Sequence, residues 1–468
     1  MTPGFFSALA ASLALVSSPC VLTAPESSAR GGRPQLSGNE QVLYSPDGFF
    51  ALHYTLEGAD RLQSLVDEDQ DGQPDVLDRV LAGLALGRQS FVARGYRDLV
   101  RDGGGGGGPE LDVYLVDLAN NGFANAVPAE LEAEPWSCFI RLAVDLTSSS
   151  AGLLESVAAH ELNHCVQYRY TTNAATWIYE SAATYEQYLL YGEGLLEAAL
   201  QVLWGTRLSG SARPIDDVGE RFEYAGLLWW KFWNEFQASG ERMVPLWEQL
   251  SLEPDWTLTL AQEAARLWGL DLAGLYLEHV TWNGFACGRD DGGHYWSGSM
   301  PCLLETIAVP VEPLTVEAEF ELQLEGGYTA AFWQLDAADQ LLSPQLSCDL
   351  AGDQSQLGLR LVAVDAFGRR AEERSSWATS GEVLELRLDQ PLALGGSALL
   401  VAASVGQGGA ELRCRASWVE PLPESAEEPQ GSGCSCVLSS QPWPPSSWWL
   451  LAGLALIGLL RRQPADSS

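Results

Sequence analysis

The chain has 468 residues, enough for two or three domains that each bury a core. Its 26 basic against 62 acidic side chains leave a net charge of −36, which excludes nucleic-acid phosphate as the principal partner. With 46% apolar residues and 17 tryptophans it carries too much core material for a disordered acidic protein.

Residues 5–18 form an apolar run of secretory length followed by small residues, which predicts a signal peptide over 1–29 with Ser27-Ser28-Ala29 as one candidate cleavage site. Cys20 has no Leu three positions upstream, as lipidation would require, and is expected to leave with the signal. The Ser-, Gly-, Pro- and Arg-rich stretch that follows predicts a flexible leader over 30–43.

Asp67, Asp69, Asp71, Asp75 and Asp78 fall at positions 1, 3, 5, 9 and 12 of a calcium loop, with Gly72 at the sharp turn and the Gln73 backbone carbonyl as a further ligand. Five crowded carboxylates repel one another unless a cation joins them. Asp78 is a shorter arm than the usual Glu, so the expected affinity is modest. A helix is predicted over 76–94, and the six glycines from Gly103 to Gly108 read as a surface loop ahead of a strand at 111–116. A second strand is predicted at 139–144, before a helical pattern that begins near Leu153.

That helix carries His160-Glu161-Leu162-Asn163-His164. Residues at i and i+4 share a helix face, so both imidazoles can ligate one metal ion, with Glu161 beside them to act on water. Catalytic zinc takes three protein ligands and leaves a position open. Glu180, in the next helical pattern, is the candidate third ligand; Glu186 is its rival, and His279 or His294 would have to return from more than a hundred residues away. An oxyanion donor is also needed. Tyr224, ahead of the aromatic helix at 227–236, is the first choice, with Tyr185 and His279 as alternatives, and Tyr224 can equally be a packed aromatic.

After Cys302 the pattern alternates apolar and polar residues, as at 314–324, 357–364, 382–388 and 398–403, which predicts an all-β sandwich over 303–418. A Glu- and Pro-rich linker occupies 419–433. The tail, 434–468, contains Cys434, Cys436, an apolar run from Trp448 to Leu460 and Arg461-Arg462. At 1.5 Å per residue that run makes a helix of roughly 20 Å, short of a ~30 Å hydrocarbon core. Six cysteines remain between the two ends. Cys287 with Cys302 and Cys348 with Cys414 are the local disulfide choices, and Cys138 with Cys165 is the remainder.

Two resemblances follow from these motifs. The tail, through Gly433, Cys434, Cys436, the Leu-rich run and the two arginines, resembles the myxobacterial C-terminal sorting tail, which implies export, processing by the cell-envelope machinery and display at the surface or release. An ordinary tail anchor is the other reading. Residues 154–190 resemble a family of secreted myxobacterial zinc metalloproteases, gluzincin-like, through His160, Glu161, His164, Gln167, Tyr168, Trp177 and Glu180. That family usually has Gly after the third-ligand Glu and an aromatic within the inner pair of the motif, where this chain has Ser181 and Leu162. Its members also carry the acidic loop near their start, in a structural role.

The resulting expectation is an α+β chain, a zincin-like metallopeptidase domain over 44–300 followed by the sandwich. It would bind Zn2+ and Ca2+ and hydrolyse protein or peptide substrates, with Glu161 as general base. The rival expectations are a catalytically inactive surface adhesion protein on the same fold and a metal-dependent amidase or glycan-directed hydrolase using the same ligands.

Overall fold

The structure, a computed structural model, describes residues 32–420 except for 119–123, 129–136, 150–151, 193–196, 238–241, 290–293, 295–308, 315–318, 325–326, 337–341, 352–355, 366–369, 379–382, 393–395 and 407–409. The expected signal peptide, the start of the leader, Cys302, nearly all of the 419–433 linker and the tail lie outside the described residues. The chain is mixed helix and sheet, with three sheets among the described residues.

The first sheet is built from β1 (Gln41–Tyr44), β2 (Phe50–Tyr54), β3 (Leu111–Val116), β4 (Ala124–Pro128) and β5 (Cys138–Ala143), in the order β1-β2-β3-β5-β4. The centre is parallel, with Val113 opposite Ile140, and both outer strands run antiparallel to their neighbours. Alternation sorts the side chains. Leu111, Val113 and Leu115 of β3 join the large apolar cluster under the helices, whereas Asp112 and Tyr114 face the other way.

Residues 41–43, which the sequence assigns to a flexible leader, belong to β1, because Val42 and Leu43 pair with His53 and Leu52. The residues before them are tied down as well. The Arg33 guanidinium pairs with the buried carboxylates of Asp102 and Asp112, and His53 bridges Glu40 (Nδ1, 2.6 Å) and Asp112 (Nε2, 3.1 Å). The glycine loop closes over this cluster, where a Cβ on Gly106 would stand 1.8 Å from Asp112 Oδ2. Charge pairing therefore fixes the leader to the sheet face turned away from the helices.

On the other face lie α1 (Asp75–Ala93) and α2 (Leu153–Gln167). They approach closely at Gly83, where a Cβ would lie 2.5 Å from Glu155 O. Glu155 accepts the Gly152 N–H at 2.9 Å, capping α2, and pairs with Arg79 of α1 at 2.8 Å. Next come α3 (Thr176–Tyr191), α4 (Glu197–Ser209), the short α5 (Phe222–Ala225), α6 (Leu227–Glu235), α7 (Met243–Leu252), α8 (Trp256–Trp268) and α9 (Leu272–Gly284). Fully buried tryptophans at 177, 204, 229, 230, 233 and 247 fill the space between them, which is where the tryptophan excess of the composition goes.

The last two sheets form a β-sandwich-like pair. One has the order β11-β10-β13-β8-β6, from β6 (Val311–Pro313), β8 (Thr329–Asp336), β10 (Gln356–Val364), β11 (Arg370–Ala378) and β13 (Ser397–Val405). The other has the order β12-β9-β14-β7, from β7 (Glu319–Leu324), β9 (Ser343–Ala351), β12 (Val383–Arg387) and β14 (Ala410–Val419). Leu335, Leu346, Leu359, Leu361, Leu400 and Leu412 pack between them, around the Cys348–Cys414 disulfide. The outer face of the first sheet is also covered. Phe332, Val362, Leu399 and Val401 belong to the helical cluster, and Arg360 pairs with Glu278 of α9 at 2.6 Å.

Candidate metal centre

Helix α2 is buried along nearly its whole length, and its i, i+4 spacing turns His160 and His164 to one side. Helix α3 lies beside it and supplies Glu180. Glu180 Oε2 stands 3.4 Å from His160 Nε2 and 3.6 Å from His164 Nε2, and one ligand atom from each residue falls within 4.8 Å of the others. A zinc ion about 2.0–2.1 Å from three ligands at tetrahedral angles needs those atoms about 3.3 Å apart. The observed separations match that edge. His164 Nε2 and Glu180 Oε1 are also buried without a hydrogen bond, an arrangement that is costly unless a cation takes the lone pairs. Two imidazoles and one carboxylate are the donor set of a catalytic zinc site, so the residues fit that metal.

The surroundings set the tautomer. His164 Nδ1–H donates to Gln167 Oε1 at 2.8 Å, leaving Nε2 to face Glu180 Oε2. Gln167 Nε2 in turn donates to Asn163 Oδ1 (2.8 Å) and Tyr179 O (3.0 Å), so its amide orientation is fixed from both sides. Without metal, burial would lower the His164 pKa. Glu180 outweighs that effect, helped by Glu161 and Gln167, and raises it to about 9. Burial pushes Glu180 the other way, and His164 and His160 overcome it to hold the carboxylate at about 2. The two shifts agree: the metal-free centre is a carboxylate paired with an imidazolium.

Packing holds the helices in place. The Cys138–Cys165 disulfide, the remainder in the sequence count, joins β5 to α2 one residue after His164, with Cα atoms 5.6 Å apart. On α3, Trp177 stacks on Trp230 of α6 at 5.8 Å, and Trp230 Nε1 donates to Ser181 Oγ at 2.6 Å. Cys287 is disulfide-bonded too, and its expected partner, Cys302, lies outside the described residues.

The remaining candidates separate clearly. Glu161 is fully buried, and its charge is felt by Arg141 of β5. Tyr224 lies beside the centre, its ring 6.2 Å from that of His160, and is partly exposed. Glu186, the rival ligand, pairs with Arg94 and accepts from Tyr96 OH at 2.6 Å. His279 is packed among Trp229, Phe232 and Tyr276, with Asn283 as its polar neighbour, and burial drives its pKa far down. His294 stacks on Phe285 at 4.6 Å. Tyr185 is buried against Tyr188, with ring centroids 6.1 Å apart. Among the described residues, Glu186, His279 and His294 are not in the three-ligand cluster.

Glu223 was not visible as a site residue from its neighbours in sequence. It adjoins Tyr224 on α5, its Oε2 is buried without a hydrogen bond, and its pKa is raised to about 7, first by burial and then by the nearby Glu180. Glu220 and Arg221 just before it both have positive φ, 54° and 67°. Arg213 clamps that turn, donating to Gly219 O at 2.7 Å, pairing with Asp217 and lying 4.2 Å over the Phe222 ring. The loop is itself braced by the first sandwich sheet, through Ala330 N–H to Ser211 O (2.9 Å) and Ile215 N–H to Tyr328 O (3.2 Å).

In the acidic loop the structure brings Asp67, Asp69 and Asp71 within ligand distance of one another. Their oxygens also cap loop amides, as in Gly72 N–H to Asp67 Oδ2 at 3.1 Å and Gln73 N–H to Asp71 Oδ1 at 2.7 Å. Asp75 is outside this cluster and accepts from Glu68 N–H. The Gln73 side chain accepts from Tyr54 OH. Asp78 is not in the cluster but is close enough that burial and then Asp71, Asp69, Asp75 and Asp67 raise its pKa.

No family model matches the chain, and no curated protein matches it by sequence. Among solved structures, the pre-peptidase C-terminal domain of a collagenase from Bacillus anthracis is similar to it at 10% identity and a TM-score of 0.15, over 23% of this chain and 95% of that one. A carbohydrate-binding module of the β-sandwich superfamily is similar at 9% identity and a TM-score of 0.16, over 22% of this chain and 46% of that one.

Proposed function

We propose that the chain is a zinc-dependent metallopeptidase, with His160, His164 and Glu180 as metal ligands and Glu161 as general base. The observation that carries this reading is the convergence of three buried donor atoms at separations of 3.4 and 3.6 Å, the edge length of a tetrahedral zinc site. When bound, zinc lowers the pKa of water towards 7 and polarises a carbonyl oxygen. Glu161, next to His160 on α2, takes a proton from the attacking water and delivers it to the leaving amine. Gln167 holds His164 in the tautomer that leaves Nε2 free. The Tyr224 phenol, beside His160, donates to the developing oxyanion. Among the described residues β4 is the edge strand, paired only with β5, and an extended substrate can add there as a further strand.

Export is part of the same proposal. It is supported by the Cys138–Cys165 and Cys348–Cys414 disulfides, which belong to oxidising compartments. The acidic loop ahead of α1 is proposed to take Ca2+ through Asp67, Asp69 and Asp71, with Asp75, Asp78 and the Gln73 carbonyl completing the shell, as a structural clamp. The test is cleavage of casein by the zinc-loaded chain. Activity should vanish with a strong chelator, return with zinc, and be absent in Glu161→Gln although that variant keeps its metal. Undiminished cleavage by Glu161→Gln would refute the assignment.

A further inference from the structure

We propose that Glu223 is a specificity residue whose carboxylate receives a cationic nitrogen of the substrate next to the His160–His164–Glu180 centre. The proposal rests on the peptidase reading and adds the substrate class. Four observations converge on it. First, Glu223 is placed at the centre: it adjoins Tyr224, whose ring lies 6.2 Å from His160, and Gly226 at the end of its helix meets Ser181, the neighbour of Glu180, where a Cβ would stand 2.8 Å from the Ser181 Cβ.

Second, Glu223 Oε2 is buried and makes no hydrogen bond among the described residues. The carboxylate accepts from its own backbone N–H, and leaving its second oxygen unpaired is costly unless a donor arrives. Third, the turn leading into Glu223 is held in a strained conformation. Strained φ angles at Glu220 and Arg221 are maintained by Arg213, itself fixed by Asp217, Gly219 O and the Phe222 ring. Strain of this kind persists where the surroundings over-determine it and is concentrated at functional sites. Fourth, the net charge of −36 steers cationic substrates towards the chain.

The cationic nitrogen can come from a lysine or arginine side chain or from a free α-ammonium group. Matched fluorogenic peptides distinguish these sources: one series replaces a single arginine with norleucine, and each peptide is prepared with free and with acetylated N-terminus. For the zinc-loaded full chain, kcat/KM is expected to favour the cationic member of one pair by about 10- to 100-fold, the usual worth of a hydrogen bond to a charged group. Glu223→Gln, which keeps the side-chain shape, should collapse that ratio towards one, and Glu223→Asp should restore part of it.

An unchanged ratio in Glu223→Gln, with its zinc content intact, overturns the proposal. If the wild-type chain cleaves none of the peptides, the peptidase reading fails separately. Binding then decides on Glu223: calorimetry with Glu161→Gln should show tighter binding of the cationic peptide, lost in the Glu161→Gln/Glu223→Gln double variant, and equal binding in both would overturn the assignment.

Discussion

Replacing Gln167 by Leu tests how much of the metal centre is built by its surroundings. The side chain makes three hydrogen bonds: it accepts from His164 Nδ1 at 2.8 Å and donates to Asn163 Oδ1 at 2.8 Å and Tyr179 O at 3.0 Å. Leu fills similar volume but satisfies none of them. His164 then loses the acceptor that fixes its tautomer, and either ring nitrogen can carry the proton. Loss of such an outer partner weakens metal binding by roughly 10- to 100-fold, or about 1.4–2.8 kcal/mol. The metal-free fold should lose about 1–3 kcal/mol for each buried polar group left unsatisfied. Zinc affinity measured by chelator competition, with urea unfolding of the metal-free protein alongside, gives both quantities. Wild-type zinc affinity in Gln167→Leu would refute the reasoning, because His164 would then need no help to present Nε2.

Proton release gives a second check. Zinc must displace the proton that Glu180 helps hold on His164 up to about pH 9, so apparent affinity should weaken about tenfold per pH unit as pH falls below 9. Affinity that stays flat between pH 7 and 9 would contradict the shift. Arg33→Ala removes the cation between two buried carboxylates and should cost about 3–5 kcal/mol in urea unfolding. Asp102 sits in the fold with its pKa raised to about 6, by burial first and by Asp112, so its ionised form burdens the native state above that pH. Without Arg33 the Asp102 carboxyl titrates higher still, so the Arg33→Ala deficit should shrink as pH falls towards about 6, and a deficit independent of pH would contradict this account. Calcium at about 100 times its Kd should stabilise the chain by about 2.7 kcal/mol in thermal unfolding. Asp69→Asn should reduce that gain, and an equal gain in the variant would remove the loop from the calcium assignment.

The cluster of His160, His164 and Glu180 was legible in the sequence because its geometry is local. His160 and His164 share a helix face by spacing alone, and Glu180 had only to lie on the next helix. Glu186, six positions on and so on a different helix face, was the weaker candidate by spacing, and the structure shows Arg94 and Tyr96 occupying it. Glu223 carried no local signal, because its proposed role depends on a strained turn that Arg213 holds from seven and eight residues upstream. The docking of Arg33 was hidden in a composition that otherwise reads as flexible, and its partners lie 69 and 79 residues away. In the sandwich, β10 and β13 are buried on both faces, one against the opposing sheet and one against α9, so 398–405 is almost continuously apolar rather than alternating as expected for 398–403.

The central claim is a zinc ion held by His160, His164 and Glu180. Elemental analysis of the purified full chain, with His160→Ala and Glu180→Ala beside it, tests this most directly. The account predicts one zinc per wild-type chain and none in either variant, with all three folded by circular dichroism. A folded wild-type chain without zinc, or a Glu180→Ala variant that retains it at full stoichiometry, would contradict the account.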